Sequence, residues 1–251
     1  MAIKLLPAVL LSDGFFELEN MPDIQDVRLM IEILKSFGVS VEKTNGHTYK
    51  INCRALNKAE IPVDVVKKMR ASFLFITPML VRFGEVKFPH PGGDAIGRRP
   101  IDMILDSLRH MGASVEENFD SYVIKASRLK GADYTFRWIT HTGTEAMIMA
   151  AVMAEGRSIL RNCALEPEVS ALCDFFNKQG ARISGVGTPT IVIDGVDKLG
   201  GTSFRCIPDR IETGTFVTMA ALTGSEIGVI NCDPKHLEVF WKYMDMVGVP
   251  Y

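Results

Sequence analysis

The chain has 251 residues, of which 47% are apolar and 23% charged, and 28 Lys and Arg against 30 Asp and Glu leave a net charge of −2. These proportions exclude a disordered chain, which needs low hydrophobicity and high net charge. With no Lys/Arg block they also exclude a broadly basic nucleic-acid binder, although a local pocket for a small anion remains open.

No apolar run approaches the roughly 18 to 20 residues of a membrane-spanning helix. No nucleic-acid partner and no membrane partner is therefore expected. The opening MAIKLLPAVLLSDGFF carries a single Lys and is read as a buried helix rather than a targeting signal. The five cysteines, Cys53, Cys163, Cys173, Cys206 and Cys232, are odd in number and form no CxxC. That pattern suits free thiols in a reducing cytoplasm, argues against structural zinc, and gives a cytoplasmic location as the expectation.

Further along the chain the pattern repeats. LKSFGVSVE, LRHMGASVE, FNKQGARIS and KYMDMVGVP carry Gly38, Gly112, Gly180 and Gly248, spaced 74, 68 and 68 residues apart. Pro22, Pro100, Pro167 and Pro234 keep a similar rhythm, with gaps of 78, 67 and 67. Two independent markers in one period indicate internal repetition.

Each unit begins with an apolar helix, such as ITPMLVRFG or AMIMAAVMAEG, followed by a short strand, such as EVKFP, SILRNC or EIGVINC. A Pro-containing loop leads to an amphipathic helix. In DMILDSLRHMG, Met103, Leu105, Leu108 and Met111 fall near one face. The glycine ends that helix in a left-handed conformation. Two alternating strands joined by a turn finish the unit, as in ASVEENFDSYVIKA.

The expected fold is therefore α/β, built from α-β-α-β-β units with threefold pseudosymmetry, apolar helices inside and sheets around them. Three units fill residues 1–208, and a partial fourth occupies 209–251. Its apolar stretches 216–222 and 239–246 are expected to be poorly covered. The chain is read as a fragment, or as a form that buries this edge against a missing second domain or a partner chain. GVGTPT lies between strands and is read as a turn rather than a dinucleotide-binding loop.

Residues 68–102 carry the strongest sign of chemistry. PHPGGDAIG places Asp94 among three glycines and two prolines, with Arg98 and Arg99 following and Arg70 and Arg82 upstream. An acid beside several arginines on a glycine-rich loop suits an anionic ligand plus a proton donor or acceptor. A solvated turn with a surface ion pair is the plainer reading. Glu166 and Glu168 flank Pro167 and are read as helix-capping residues, and Cys163 and Cys173 as core.

The stretches MRASFLFITPMLVRFGEVKFPHPGGDAIGRRPIDMILDSLRHMGASVE and AEGRSILRNCALEPEVSALCDFFNKQGARISGVGTPTIVIDGV resemble the UDP-N-acetylglucosamine 1-carboxyvinyltransferases. PDRIETGTF resembles that family's interdomain crossover. The resemblance implies two inside-out α/β domains of three repeats each, which agrees with the repeat above. On this reading residues 1–208 are one whole domain and 209–251 the truncated start of another.

The reaction implied moves an enolpyruvyl group from phosphoenolpyruvate to the 3′-hydroxyl of UDP-N-acetylglucosamine, the first committed step of peptidoglycan synthesis. No cofactor and no metal is implied, and the partners are those two small molecules. By the same resemblance Asp94 is the catalytic residue, standing where most members carry a cysteine proton donor. Arg99, Pro100, Ile101, Asp102 and Met103 match a uridine-binding run, with Arg99 also reaching phosphoenolpyruvate. Arg70 matches a nucleotide-sugar arginine. Trp138, Thr140 and His141 fall in a run that binds diphosphate and uridine. The loop 89–99 is implied to close over substrate.

Two departures stand out. A Lys-Asn pair that holds phosphoenolpyruvate in the family is replaced by Ala2 and Ile3, with Lys4 two residues out of register. The family's aspartate base and its last phosphoenolpyruvate arginines fall beyond Tyr251. The 251-residue chain is therefore expected to be weak or inactive by itself. A non-catalytic nucleotide-sugar-binding protein and a shikimate 3-phosphate enzyme are the alternatives.

Overall fold

A computed structural model describes residues 1–57, 61–92 and 101–251. The chain divides into two compact units, Ala2–Cys206 and Ile207–Tyr251, with Met1 counted in the smaller.

In the larger unit the first repeat runs through α1 (Ala2–Ala8), β1 (Phe15–Glu19), α2 (Gln25–Ser36), β2 (Ser40–Asn45) and β3 (Thr48–Asn52). A short α3 (Val63–Lys68) and a 3-10 turn (Arg70–Phe75) lead to the second repeat. That repeat is α4 (Ile76–Phe83), β4 (Glu85–Pro89), α5 (Asp102–His110), β5 (Ser114–Glu117) and β6 (Ser121–Lys125). After β7 (Asp133–Thr135) come α6 (His141–Ala151), β8 (Arg157–Arg161), α7 (Pro167–Lys178), β9 (Arg182–Ser184) and β10 (Thr190–Asp194), followed by β11 (Ser203–Arg205).

The predicted order of elements recurs three times, and so does the sheet order: first strand, third strand, second strand. The sheets are β11-β1-β3-β2, β4-β6-β5 and β7-β8-β10-β9. The two added edge strands were not foreseen. β7 lies parallel to β8, and β11 lies parallel to β1, with Glu17 opposite Ser203. The end of the third repeat thereby closes back onto the first. At three residues each, these strands are too short to show a period in the sequence.

Helices form the centre. From Gly143 to Ala151 every residue of α6 is buried, and α1 and α4 bury most of theirs. α2, α5 and α7 are amphipathic and bury one face. An all-apolar helix belongs inside, whereas a striped one lies between core and solvent. Phe16, Phe175 and Phe204 make ring contacts at 5.4–5.8 Å, joining β1, α7 and β11.

The repeated glycine has one structural role. Gly38, Gly112, Gly180 and Gly248 have φ of 81°, 91°, 98° and 71°. At each, the next residue's N–H returns to the carbonyl five residues back: Val39 to Leu34, Ala113 to Leu108, Ala181 to Phe176 and Val249 to Met244. This is the left-handed helix stop that the spacing predicts, and a side chain there would strain the backbone.

In the smaller unit α8 (Arg210–Thr223) is capped by Asp209, whose carboxylate accepts from the N–H groups of Ile211 and Glu212. A 3-10 turn (Pro234–Leu237) and α9 (Glu238–Met246) follow. Phe216, Met219, Leu222, Val239 and Met246 are exposed, as expected of the partial repeat. The strand expected at EIGVINC is absent: Ser225–Ile230 has no regular structure, and Ile227 and Ile230 are exposed. A strand is stabilised by a ladder partner, and none is present among the described residues.

No described helix is long and apolar enough to cross a membrane. Four of the five cysteines are buried and none of the five forms a disulfide. Burial pushes the thiols of Cys53 and Cys173 up to about 12 and that of Cys163 up to about 11.

Candidate functional site

A cavity of about 350 Å³ opens where α1, the 3-10 turn after α3, the start of α5 and the N-terminus of α6 converge. Ile3, Lys4, Arg70, Phe73, Ile101, Met103, Thr140 and Thr142 line it, among others. Of the expected site residues, Arg70, Ile101, Met103 and Thr140 therefore meet in one place. They come from three separate stretches of sequence.

Arg70 opens the 3-10 turn, and its guanidinium carbon lies 5.6 Å from the centre of the Phe73 ring. The ring restricts the side chain, and a planar guanidinium is a group suited to an anion. Ile101 and Met103 are buried at the start of α5 and give the cavity an apolar wall.

Thr140 is the N-cap of α6, its hydroxyl oxygen accepting from Gly143 N at 3.2 Å. Because the oxygen accepts, the hydroxyl proton remains available to donate. Thr144 Oγ donates to the Thr140 carbonyl at 2.7 Å and accepts from Ala164 N at 3.2 Å, so the cap is anchored from behind. A side chain on Gly143 would come within 2.4 Å of Thr140 Cγ2, which explains the glycine.

Asp102 and Trp138 do not line the cavity among the described residues; a residue that sequence reasoning missed links them. Arg137 donates to Asp102 Oδ2 at 2.7 Å and lies 5.0 Å from the Trp138 ring. Trp138 and Ile139 are exposed. Arg137 is separated from Asp102 by 35 residues, so no local pattern joined the two.

His141 sits one turn before Glu145 on α6, with Nε2 3.2 Å from Glu145 Oε1 and 3.9 Å from Glu168 Oε2. Glu145 is fully buried and also lies 3.7 Å from Lys4 Nζ. The reading of Glu166 and Glu168 as capping residues holds in position, Glu166 being the N-cap residue of α7 and Glu168 the acid of its first turn, but not in side-chain bonding. Glu166 makes no side-chain cap to α7, and Glu168 is buried toward His141. Pro167 at the first helical position already removes one N–H that would need a partner.

Asp94, Arg99 and Pro100 lie outside the described residues, as does the glycine-rich loop from Gly93 onward. A second cavity, of about 420 Å³, lies between α3 and the β4–β6 sheet, lined by Ile61, Lys67, Met79, Lys87 and Asp120 among others. Among the described residues, none of the expected site residues lines it.

The sequence pattern of the EPSP synthase (3-phosphoshikimate 1-carboxyvinyltransferase) family matches residues 2–249. A UDP-N-acetylglucosamine 1-carboxyvinyltransferase from Hydrogenovibrio crunogenus is 46% identical over 236 residues, covering 94% of this chain and 56% of that protein. The protein of that name from Koribacter versatilis is 42% identical over 251 residues, 99% of this chain and 58% of the relative. One from Coxiella burnetii is 44% identical over 248 residues, 98% and 57%. The chain thus spans 56–58% of the length of these relatives.

Among solved structures, the enolpyruvyl transferase NikO from Streptomyces tendae superposes with a TM-score of 0.82 at 20% identity, covering 99% of this chain and 60% of that one. EPSP synthase from Acinetobacter baumannii gives 0.71 at 18% identity, covering 88% and 50%. These superpositions identify the fold as the α/β fold of the enolpyruvyl transferases, the architecture that the family resemblance implied.

Proposed function

Since the chain belongs to the EPSP synthase (3-phosphoshikimate 1-carboxyvinyltransferase) family, we propose that it carries the nucleotide-sugar side of an enolpyruvyl-transfer site. The reaction is transfer from phosphoenolpyruvate to the 3′-hydroxyl of UDP-N-acetylglucosamine, in peptidoglycan synthesis in the cytoplasm. The observation that carries this reading is the convergence of Arg70, Ile101, Met103 and Thr140 on one cavity. A guanidinium, a hydroxyl donor and an apolar wall suit a diphosphate beside a flat base. Relatives at 42–46% identity bear the name of that activity, whereas the EPSP synthase structure is 18% identical, which favours UDP-N-acetylglucosamine over shikimate 3-phosphate.

In this account Arg70 and Thr140 hold the diphosphate, and Arg99 with Pro100–Met103 holds the uridine. Trp138 and His141 border the same site. Asp94 protonates the methylene carbon of phosphoenolpyruvate as the sugar oxygen adds to its neighbour. The sugar hydroxyl gives its proton to the base, and loss of phosphate together with a proton from the newly formed methyl group then regenerates the double bond. An aspartate can give that proton only while it is protonated, which burial or a neighbouring anion favours.

Residues 209–251 open a second domain, and the base and remaining phosphoenolpyruvate arginines belong to residues beyond these 251. The chain alone is then expected to bind the nucleotide sugar and to release phosphate far more slowly than an ordinary transferase.

Calorimetric titration with UDP-N-acetylglucosamine and with shikimate 3-phosphate, followed by a phosphate-release assay, tests this. Binding of the first ligand alone with weak turnover is expected. Preference for shikimate 3-phosphate would overturn the substrate, and ordinary turnover would overturn the division of the site. A second reading, a nucleotide-sugar-binding protein without turnover, is consistent with the same cavity. Complete absence of phosphate release together with tight binding would select it.

A further inference from the structure

We infer that Lys4 is a ligand-binding cation of the nucleotide-sugar cavity, held in place by the buried carboxylate of Glu145 and aimed at a phosphate or diphosphate oxyanion. The inference rests on the cavity reading above and adds a residue that sequence comparison did not assign.

The argument begins with burial. Lys4 is 7% exposed and Glu145 is fully buried. A buried charge is tolerated only if it is paired and hydrogen-bonded. This pair is incomplete. Lys4 Nζ stands 3.7 Å from Glu145 Oε1, an ion-pair distance beyond hydrogen-bond length. Neither oxygen of Glu145 accepts a hydrogen bond among the described residues. His141 Nε2, at 3.2 Å, is also outside hydrogen-bond geometry.

An ammonium has three donors and no acceptor. Among the described residues Lys4 makes no hydrogen bond with any of them, yet it lines the cavity together with Arg70 and Thr140, whereas Glu145 is not among the lining residues. An oxyanion in the cavity supplies the acceptors that the protein does not. Glu145 then has a positioning role: it offsets the cost of burying the ammonium in the empty state and fixes its place. His141 flanks the carboxylate, and its Nε2 also lies 3.9 Å from Glu168 Oε2. The charged groups near the ammonium are therefore Glu145, His141 and Glu168 from α6 and α7, and Arg70, which lines the same cavity.

A purely structural ion pair predicts something different. If the pair only holds α1 to α6, removing both charges together should restore both stability and binding, because a buried pair exchanged for neutral groups is often neutral overall. If Lys4 serves the ligand, stability returns and binding does not.

The test uses Lys4→Met, Lys4→Arg and the double variant Lys4→Met/Glu145→Gln in the 251-residue chain. UDP-N-acetylglucosamine and inorganic pyrophosphate serve as separate probes in calorimetric titration, with thermal melting alongside. Lys4→Met is expected to melt lower than the parent, since it strands Glu145. The double variant should melt close to the parent yet bind both probes about 10- to 100-fold more weakly. Lys4→Arg keeps a cation and should remain within about fivefold, which also tests the proposal should the double variant fail to fold.

Parent-like binding by the double variant, or binding by Lys4→Arg as weak as by Lys4→Met, would overturn the inference. If pyrophosphate binds in a Lys4-dependent way and the nucleotide sugar does not bind, the inference stands and the proposed substrate falls. If the nucleotide sugar binds irrespective of Lys4, the substrate stands and the inference falls. Failure of both probes to bind the parent overturns both.

Discussion

Replacing Thr140 by valine keeps the side-chain shape and removes one hydroxyl, which separates the capping role that the structure shows for that oxygen from the ligand role proposed for it. The first is the cap. Thr140 Oγ1 accepts from Gly143 N at 3.2 Å, and losing an N-cap costs about 1 kcal/mol. In a unit of this size that corresponds to a melting point lower by about 2 to 4 °C. The helix start should survive, because Thr144 bonds to the backbone carbonyl of Thr140 rather than to its side chain. The second role is donation to ligand. A lost hydrogen bond to a charged phosphate oxygen is worth about 1.5 to 3 kcal/mol, or roughly 10- to 150-fold in affinity. Thr140→Ser should retain both functions. Thermal melting and calorimetric titration with UDP-N-acetylglucosamine measure the two separately. A lower melting point with unchanged affinity in Thr140→Val would refute the ligand role and leave the residue a cap.

Three further outcomes follow from the same coordinates and from the family resemblance. Gly143→Ala forces a carbon to within 2.4 Å of Thr140 Cγ2, so it should displace the cap and lower both melting point and nucleotide-sugar affinity; an unchanged protein would contradict the packing described. The buried thiols of Cys53, Cys163 and Cys173, raised to about 12, 11 and 12, stay protonated in the folded chain while the unfolded chain ionises them near pH 8.5 to 9. Their stabilising contribution is therefore complete below about pH 9 and is lost as pH rises toward 11 to 12, by up to about 1.4 kcal/mol per unit per thiol. Denaturant midpoints that stay flat to pH 11 would contradict this. With Asp94 in place of the family's loop cysteine, an epoxide that alkylates that thiol should leave no stable adduct there, and intact mass with peptide mapping reads the result.

Much of the fold was legible because it is repeated. A glycine at positive φ after each amphipathic helix is a local requirement, so Gly38, Gly112, Gly180 and Gly248 marked the units before any contact was known. The all-apolar run of α6 and the striped pattern of α5 likewise reflect how each helix is buried. What escaped depends on partners far along the chain. β11 is a strand only because β1 is beside it, and the stretch EIGVINC, apolar enough for a strand, has no neighbour and forms none. The site divided in the same way. Arg70 and the run from Ile101 to Met103 carried motifs. Arg137 reached Asp102 across 35 residues, and Lys4 meets Glu145 across most of the unit, so only folding reveals them. The single lysine of the apolar opening helix was visible in the sequence, but its pairing with Glu145 was not.

The measurement closest to the central claim is hydrogen exchange across the chain with and without UDP-N-acetylglucosamine. Slower exchange confined to the residues around Arg70–Leu74, Ile101–Ile104 and Thr140–Thr142, with no change at Lys67, Lys87 and Asp120 of the larger cavity, is the predicted result. Protection at the larger cavity instead, or none at the three converging segments under saturating ligand, would contradict the assignment of the nucleotide-sugar site.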